Sequence, residues 1–332
     1  MSEPETGSRS GTFAREWPYL FCALCVAAVV IAGLAAGTAP GPAPPEAPTR
    51  AKDGAAELER LVLKPKPLAA AVLEGLTLAA IVWSAGFLLS AAHRRTDVFP
   101  EARLARARWT EWDVAKLLFV FLFVRIAVEP FALSGRPESA LVVHGIAELL
   151  TALVALHVIR SRGQDPADAL GLRLRGLAPH LLPGLVVFLA SVPILLGLTV
   201  GWTFLLERLP GGEFSIQQHL VKELARTPST AQVAQMAVAA VLIAPVVEEL
   251  FFRGLLYGVL RRRVTPAIAI PCVGVLFGLF HLPALGAVLP LAVLGALLCY
   301  VYEKTGRLTV PIVIHVLFNF YTVFSLVSRR LA

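Results

Sequence analysis

Long apolar runs separated by short polar connectors make up most of this chain. A run of about 20 apolar residues is long enough to cross the hydrocarbon core of a bilayer as an α-helix. The pattern predicts nine such helices, or eight if the first belongs to a cleaved signal peptide. They cover residues 18–37, 68–92, 114–133, 140–159, 181–206, 233–260, 266–282, 287–301 and 308–327. The expected fold class is all-α, a polytopic membrane helical bundle of about eight to nine transmembrane helices.

The first apolar run, residues 18–37, resembles a signal peptide because Arg9 and Arg15 precede it and small residues end it. Its apolar region is longer than the roughly 7–15 residues usual in a signal peptide, so we expect a retained span. The connector that follows, residues 38–67, is rich in proline and alanine. Such a composition cannot bury a core and predicts an extended or disordered segment.

Composition supports the membrane assignment. Apolar residues make up 57% of the 332 residues, and charged residues make up 16%, well below the quarter or so found in soluble domains. The net charge is +7, and the lysines and arginines cluster in the connectors without interleaved aromatics. This pattern favours the positive-inside bias and argues against nucleic acid as a partner, so the lipid bilayer is the expected partner. The more basic set of connectors places the N-terminus in the cytoplasm.

Ionisable side chains inside apolar spans are the candidates for chemistry, because each costs about 2.5–3.5 kcal/mol at a helix centre. Glu248 and Glu249 are adjacent in the sixth span, and about 100° of helical rotation separates them. Glu249 and Arg253 are four residues apart and share a face, which predicts an ion pair. That pair would leave Glu248 available as a general base. The alternative is that all three form a structural network.

Two later spans carry further polar groups. His281 lies near the end of the seventh span, where a lone histidine is more often interfacial than catalytic. His315 and Asn319 are four residues apart in the ninth span and project from one face. Three spans within 72 residues therefore each offer polar side chains, and together they indicate a shared site.

This set of motifs resembles the CPBP family, the CAAX-protease and bacteriocin-processing (Abi) intramembrane peptidases. The motifs occur in order on separate predicted helices: Glu248-Glu249-x-x-x-Arg253, Phe277-x-x-x-His281 and His315-x-x-x-Asn319. The flanking residues look like the bacterial branch. The resemblance divides the chain into a peptidase core, residues 179–332, and an N-terminal membrane region, residues 1–178. That region has about four transmembrane helices and the 38–67 connector, and no motif.

The resemblance implies an intramembrane endopeptidase that acts on a membrane-embedded or membrane-tethered protein or peptide. It implies that Glu248 activates water and that His281 orients this water. His315 and Asn319 would stabilise the oxyanion, while the ion pair expected on the sixth span would hold the helix geometry. The expected location is a bacterial cell membrane.

Metal dependence stays open at this level. A zinc site needs three protein ligands and an open position, which His281, His315 and either Glu248 or Glu249 could supply. Against zinc, no H-E-x-x-H helix signature is present. Asn319 is a poor zinc ligand and a good donor to an oxyanion. We therefore favour a site without a cofactor and keep zinc as the alternative.

Two rival functions share these features. A non-catalytic immunity or scaffolding protein could have the same fold. A proton-coupled transporter could also use buried acids and histidines, but it predicts repeat-related broken helices, and the sequence shows no internal repeat. The Pro/Ala-rich connector is typical of a high-GC bacterial genome, which does not favour a prenylated substrate.

Overall fold

The structure, a computed structural model, describes residues 107–132, 137–208, 230–282 and 284–331, together with 75, 78–79, 81–87, 89–90, 99 and 104–105. Every regular element in these residues is helical. The helices are α1 (Glu111–Ala132), α2 (Pro137–Ser161), α3 (Pro166–Ala169), α4 (Ala178–Glu207), α5 (230–260), α6 (Pro266–Leu279), α7 (Leu285–Thr305) and α8 (Thr309–Leu331). The first predicted span and the 38–67 connector lie outside the described residues, and the second span is described only in part.

Helices of membrane-spanning length confirm the all-α membrane bundle. Within the described residues, Ala178–Glu207, Gln232–Leu260 and Leu285–Thr305 are long and apolar enough to cross a bilayer. Pro266–Leu279 and Thr309–Phe324 are shorter apolar helices. Apolar side chains on α4 point outward, with Val200 70% exposed, which agrees with lipid as the surrounding solvent. The total of eight or nine spans stays a prediction.

From the third span onward, the predicted boundaries agree with the helix ends to within four residues. The largest differences, four residues, are at the C-terminal ends of α7 and α8, and the C-terminal end of α6 differs by three. α6 ends at Leu279 and not at 282, because a residue that precedes a proline, here Pro283, is disfavoured in the α conformation. α7 continues past 301 to Thr305, where Glu303 accepts hydrogen bonds from Tyr257 Oη at 2.9 Å and Arg261 Nε at 3.0 Å.

α6 and α7 pack with their backbones in contact. A Cβ atom added to Gly274 would lie 2.7 Å from the carbonyl oxygen of Ala292, and one added to Gly278 would collide with the carbonyl oxygen of Val288. Small residues four apart are the usual means by which membrane helices approach this closely. The packing fixes the end of α6 against α7, and His281 lies in the turn that follows this end.

Residues before α1 hold the helix that carries the two glutamates. The Trp109 indole, 1% exposed, donates from Nε1 to the carbonyl of Leu255 on α5 at 3.0 Å. Arg262, at the end of α5, donates to the carbonyls of Trp109 and Ala107 at 2.6 and 3.2 Å. The division of the chain after residue 178 stays a prediction, but residues on both sides of it pack together.

The start of α1 is bound to the end of α2. Asp113 accepts hydrogen bonds from the backbone N–H and hydroxyl of Thr110 at 2.8 and 2.9 Å, a capping interaction. It also pairs with Arg162 at 2.6 Å. Burial opposes ionisation of this carboxyl, but the hydrogen bonds from Arg162 and Thr110 outweigh burial and hold the pKa of Asp113 below its usual range.

The loop between α3 and α4 fixes the start of α8. Arg307 donates from Nη1 to the carbonyls of Arg173 and Arg175, both at 3.1 Å. The backbone N–H of Leu308 donates to the carbonyl of Leu170 at 2.9 Å. These bonds set the position of α8, which carries His315 two turns further on.

Replacing Gly278 by alanine is expected to destabilise the protein by about 1–3 kcal/mol, because the new Cβ meets backbone atoms of α7 that cannot move aside. Gly197→Ala on α4 is the matched control. An added Cβ there has no atom within 4 Å, so the higher helix propensity of alanine should raise stability by up to ~1 kcal/mol. Denaturant unfolding of both variants in detergent measures the difference. Equal effects would contradict close packing of α6 on α7.

Candidate active site

The helix that carries Glu248 and Glu249 is widened on both sides of them. In α5, the α-helical turn Ala244–Glu249 lies between two π-helical segments, Ala239–Ile243 and Leu250–Tyr257. π-Helical segments are rare and occur frequently at functional sites. Sequence reasoning predicted an uninterrupted helix here. Pro245 was the one residue that could have signalled the change, because a proline removes an N–H from the helix interior.

Glu249 and Arg253 form the ion pair that the sequence predicts. Arg253 Nη1 lies 2.8 Å from Glu249 Oε1, and both side chains are fully buried. Arg253 Nη2 donates to the carbonyl of Gly295 on α7 at 3.0 Å. The guanidinium carbon also lies 4.5 Å from the ring centroid of Phe277, a cation–π contact. The charge of Arg253 is therefore compensated inside the bundle, and it joins α5 to α6 and α7.

His315 binds the same oxygen of Glu249. Its Nδ1 lies 2.8 Å from Glu249 Oε1. A carboxylate only accepts hydrogen bonds, so Nδ1 carries a hydrogen. Nε2 takes no part in this bond. Nε2 lies 3.8 Å from Glu248 Oε2. Sequence reasoning missed the bond to Glu249, because it joins two helices and no spacing within one helix signals it.

The two adjacent glutamates have different surroundings. The Glu249 side chain is fully buried, whereas that of Glu248 is 23% exposed. Within the described part of the chain, Oε2 of each glutamate is buried without a hydrogen-bond partner. The two carboxylates therefore differ in the exposure of their side chains and in the bonds that Glu249 Oε1 accepts from Arg253 and His315.

The His281 ring packs against Phe277, with 5.0 Å between the two ring centroids. Its Nδ1 lies 2.8 Å from the carbonyl oxygen of Phe277, which can only accept. Nδ1 therefore carries the hydrogen, and Nε2 offers a lone pair. Phe277 also contacts His315, at 5.7 Å between ring centroids. Across the described residues, no ion pair joins His281 to a carboxylate.

Asn319 contacts the first π-helical segment. Its Nδ2 donates to the carbonyl of Ala240 at 2.8 Å, and its side chain is half-buried. Direct contacts thus join four of the six candidate residues: Glu248, Glu249, Arg253 and His315. His281 is linked to them through Phe277, and Asn319 through the helix that carries the glutamates.

The next feature is the set of side chains that could bind a metal ion at the candidate site. Within the residues that the structure describes, no three His, Cys, Asp or Glu side chains are grouped so that they could hold a metal ion. His315 Nδ1 and Glu249 Oε1 already bind each other, so zinc at those two atoms would have to replace their hydrogen bond. Metal dependence stays a prediction.

Comparison with known proteins gives one match. Residues 230–321 match the family described as "Type II CAAX prenyl endopeptidase Rce1-like". No curated protein and no solved structure matches the chain. The matched segment begins with α5 and encloses all six candidate residues. The resemblance drawn from the three motifs is thereby confirmed over this segment: residues 230–321 are similar to the CAAX-type membrane proteases.

Proposed function

We propose that the protein is an intramembrane endopeptidase that hydrolyses a peptide bond of a membrane-embedded or membrane-tethered protein or peptide. The observation that carries this proposal is the unequal pair of adjacent carboxylates. Glu249 is fully buried, and its Oε1 accepts hydrogen bonds from Arg253 and His315, whereas the Glu248 side chain is 23% exposed and lies 3.8 Å from His315 Nε2. The family match supports hydrolysis of a peptide bond. Glu248 is the proposed general base.

The proposed mechanism uses His315 as a hydrogen-bond donor from both ring nitrogens. Nδ1 donates to Glu249 Oε1 at 2.8 Å, and Nε2, which lies 3.8 Å from Glu248 Oε2, is the proposed donor to the substrate. The site then holds a base, Glu248, next to a hydrogen-bond donor, His315.

The proposed reaction uses these groups in sequence. Glu248 takes a proton from a water molecule while the water oxygen attacks the scissile carbonyl carbon, and His281 Nε2 accepts a hydrogen bond that orients this water. The oxyanion that forms receives hydrogen bonds from His315 Nε2–H and from the Asn319 amide. Glu248 then gives its proton to the leaving nitrogen as the C–N bond breaks. Water is consumed, and a carboxylate and an amine are released.

The substrate class rests on the family description, which names a prenyl endopeptidase. A C-a-a-X peptide is therefore the first probe, used with and without a farnesyl group on its cysteine. We further propose that the N-terminus is cytoplasmic and that the membrane is that of a bacterium. Both follow from the sequence alone.

Glu248→Gln is expected to lower hydrolysis of a quenched fluorescent C-a-a-X peptide by about 10²–10⁴-fold, because glutamine keeps the shape but cannot accept the proton. The thermal unfolding temperature should stay near that of the wild type. Glu207→Gln, at the exposed end of α4, is the matched control and should keep full activity. Wild-type hydrolysis by the Glu248→Gln protein would remove Glu248 from the mechanism, and absence of hydrolysis by the wild type would leave the scaffolding alternative.

Glu249→Gln is expected to cost both activity and stability. It leaves the buried Arg253 without its charge partner and weakens the bond that orients His315. Breaking a buried pair in this way costs roughly 3–5 kcal/mol. Denaturant unfolding of the two glutamine variants, side by side, measures this difference. If both variants unfold equally easily, the division of roles between the two glutamates is wrong.

Activity is expected to survive removal of metal, because the proposed steps use only protein side chains. Purified active protein should hold less than one equivalent of zinc by elemental analysis, and exhaustive chelation should leave the hydrolysis rate unchanged. One tightly bound equivalent, with activity lost on its removal and restored on its return, would show a metalloprotease.

A further inference from the structure

We infer that Pro245 is a positioning residue of this site: it leaves the carbonyl of Ala240 open, and that carbonyl anchors the amide of Asn319. The catalytic consequence of this anchor rests on the proposed function, whereas the anchor itself does not. The inference assigns a role to a residue that touches none of the reacting groups.

The hydrogen-bond register of α5 explains why the carbonyl is open. The backbone N–H of Ala244 donates to the carbonyl of Ala239, five residues back, which is the π-helical register. The next bond in that register would run from residue 245 to the carbonyl of Ala240. Proline has no N–H, so this bond cannot form. The carbonyl of Ala240 is left for another donor, and Asn319 Nδ2 lies 2.8 Å from it.

The anchor fixes which way the Asn319 amide points. A carbonyl oxygen only accepts, so the NH2 group must face Ala240 and the amide oxygen must face away. One N–H is used by Ala240, and the second stays available to an oxyanion. Asn319 lies one turn from His315 on the same face of α8. The open carbonyl therefore holds the second proposed oxyanion donor next to the first.

A second backbone carbonyl, that of Phe277, also accepts a hydrogen bond from a side chain of the site, His281. There the backbone N–H of His281 donates to the carbonyl of Gly278 at 3.1 Å, three residues back, and not to that of Phe277. The carbonyl of Phe277 accepts instead from the His281 ring at 2.8 Å. In both cases a backbone carbonyl without its usual N–H donor accepts a hydrogen bond from a side chain of the site.

Pro245→Ala tests the inference, because alanine restores an N–H. Whether the helix keeps the π register or returns to the α register, the carbonyl of Ala240 then gains a backbone donor, from residue 245 or from Ala244. We expect kcat on the C-a-a-X peptide to fall about tenfold, with KM changed less than twofold. Thermal stability should not fall, because proline is the poorest residue for a helix interior.

Pro193→Ala is the matched control for removal of a helix proline. Pro193 lies exposed inside α4, a helix that carries none of the six candidate residues. It should leave kcat unchanged. An unchanged kcat in Pro245→Ala as well would overturn the catalytic part of the inference.

A double-mutant cycle between Pro245 and Asn319 separates the anchor from a general disturbance of α5. Asn319→Ala leaves the carbonyl of Ala240 without a donor. It should therefore shift the unfolding equilibrium about tenfold towards the unfolded state in the wild-type background. In the Pro245→Ala background the shift should be less than twofold. The same reduction is expected in its effect on kcat. Asn319→Asp, which keeps the shape but cannot donate when ionised, serves as the second variant in case the alanine variant does not fold.

Equal effects of Asn319→Ala or Asn319→Asp in the two backgrounds would overturn the inference. The unfolding cycle needs no hydrolysis, so it is independent of the proposed function. Coupled unfolding together with undiminished hydrolysis by Glu248→Gln would keep the anchor and reject the protease mechanism. Additive unfolding together with a dead Glu248→Gln would reject the anchor and keep the mechanism.

Discussion

One oxygen atom, Oε1 of Glu249, accepts hydrogen bonds from both Arg253 and His315, and the arrangement of the site depends on it. A charge inside the bilayer is costly unless it is paired. Through Arg253 the same cluster also reaches the carbonyl of Gly295 on α7, so one carboxylate ties together α5, α7 and α8. Because Glu249 binds both Arg253 and His315, its neighbour Glu248 is the carboxylate that we propose as the general base.

This cluster needs helices that are held in fixed register, and two kinds of contact provide it. Within the bilayer, Gly274 and Gly278 allow α6 to lie directly on α7. At the polar end of the bundle, Arg262 and Arg307 bind backbone carbonyls of neighbouring connectors, and Trp109 binds the carbonyl of Leu255 on α5. Carbonyls accept without carrying a charge, so these bonds fix helix ends without adding further ions. Residues before 178, which carry no motif, thereby contribute to the stability of the site.

The positions of the helices and the contacts between residues four apart in one helix could be predicted from the sequence, whereas contacts between helices and the local register of α5 could not. Hydrophobic length located the helices to within four residues, and the i,i+4 spacing gave the Glu249–Arg253 pair. The bond from His315 to Glu249 crosses from α8 to α5, and no periodicity reports it. The π-helical segments escaped prediction because hydrophobic spacing barely distinguishes a π turn from an α turn. Pro245 is the one residue that could have signalled the first of them.

The most direct test of the account is an experimental structure of the Glu248→Gln protein with an uncleaved C-a-a-X peptide bound. The account predicts the scissile carbonyl oxygen at about 2.7–3.1 Å from His315 Nε2, the distance of an oxyanion donor. It also predicts the carbonyl carbon beside the side chain of residue 248, with the amide of Asn319 still bonded to Ala240. A peptide bound with its scissile bond away from residues 248 and 315 would contradict the assignment of this cluster as the catalytic site.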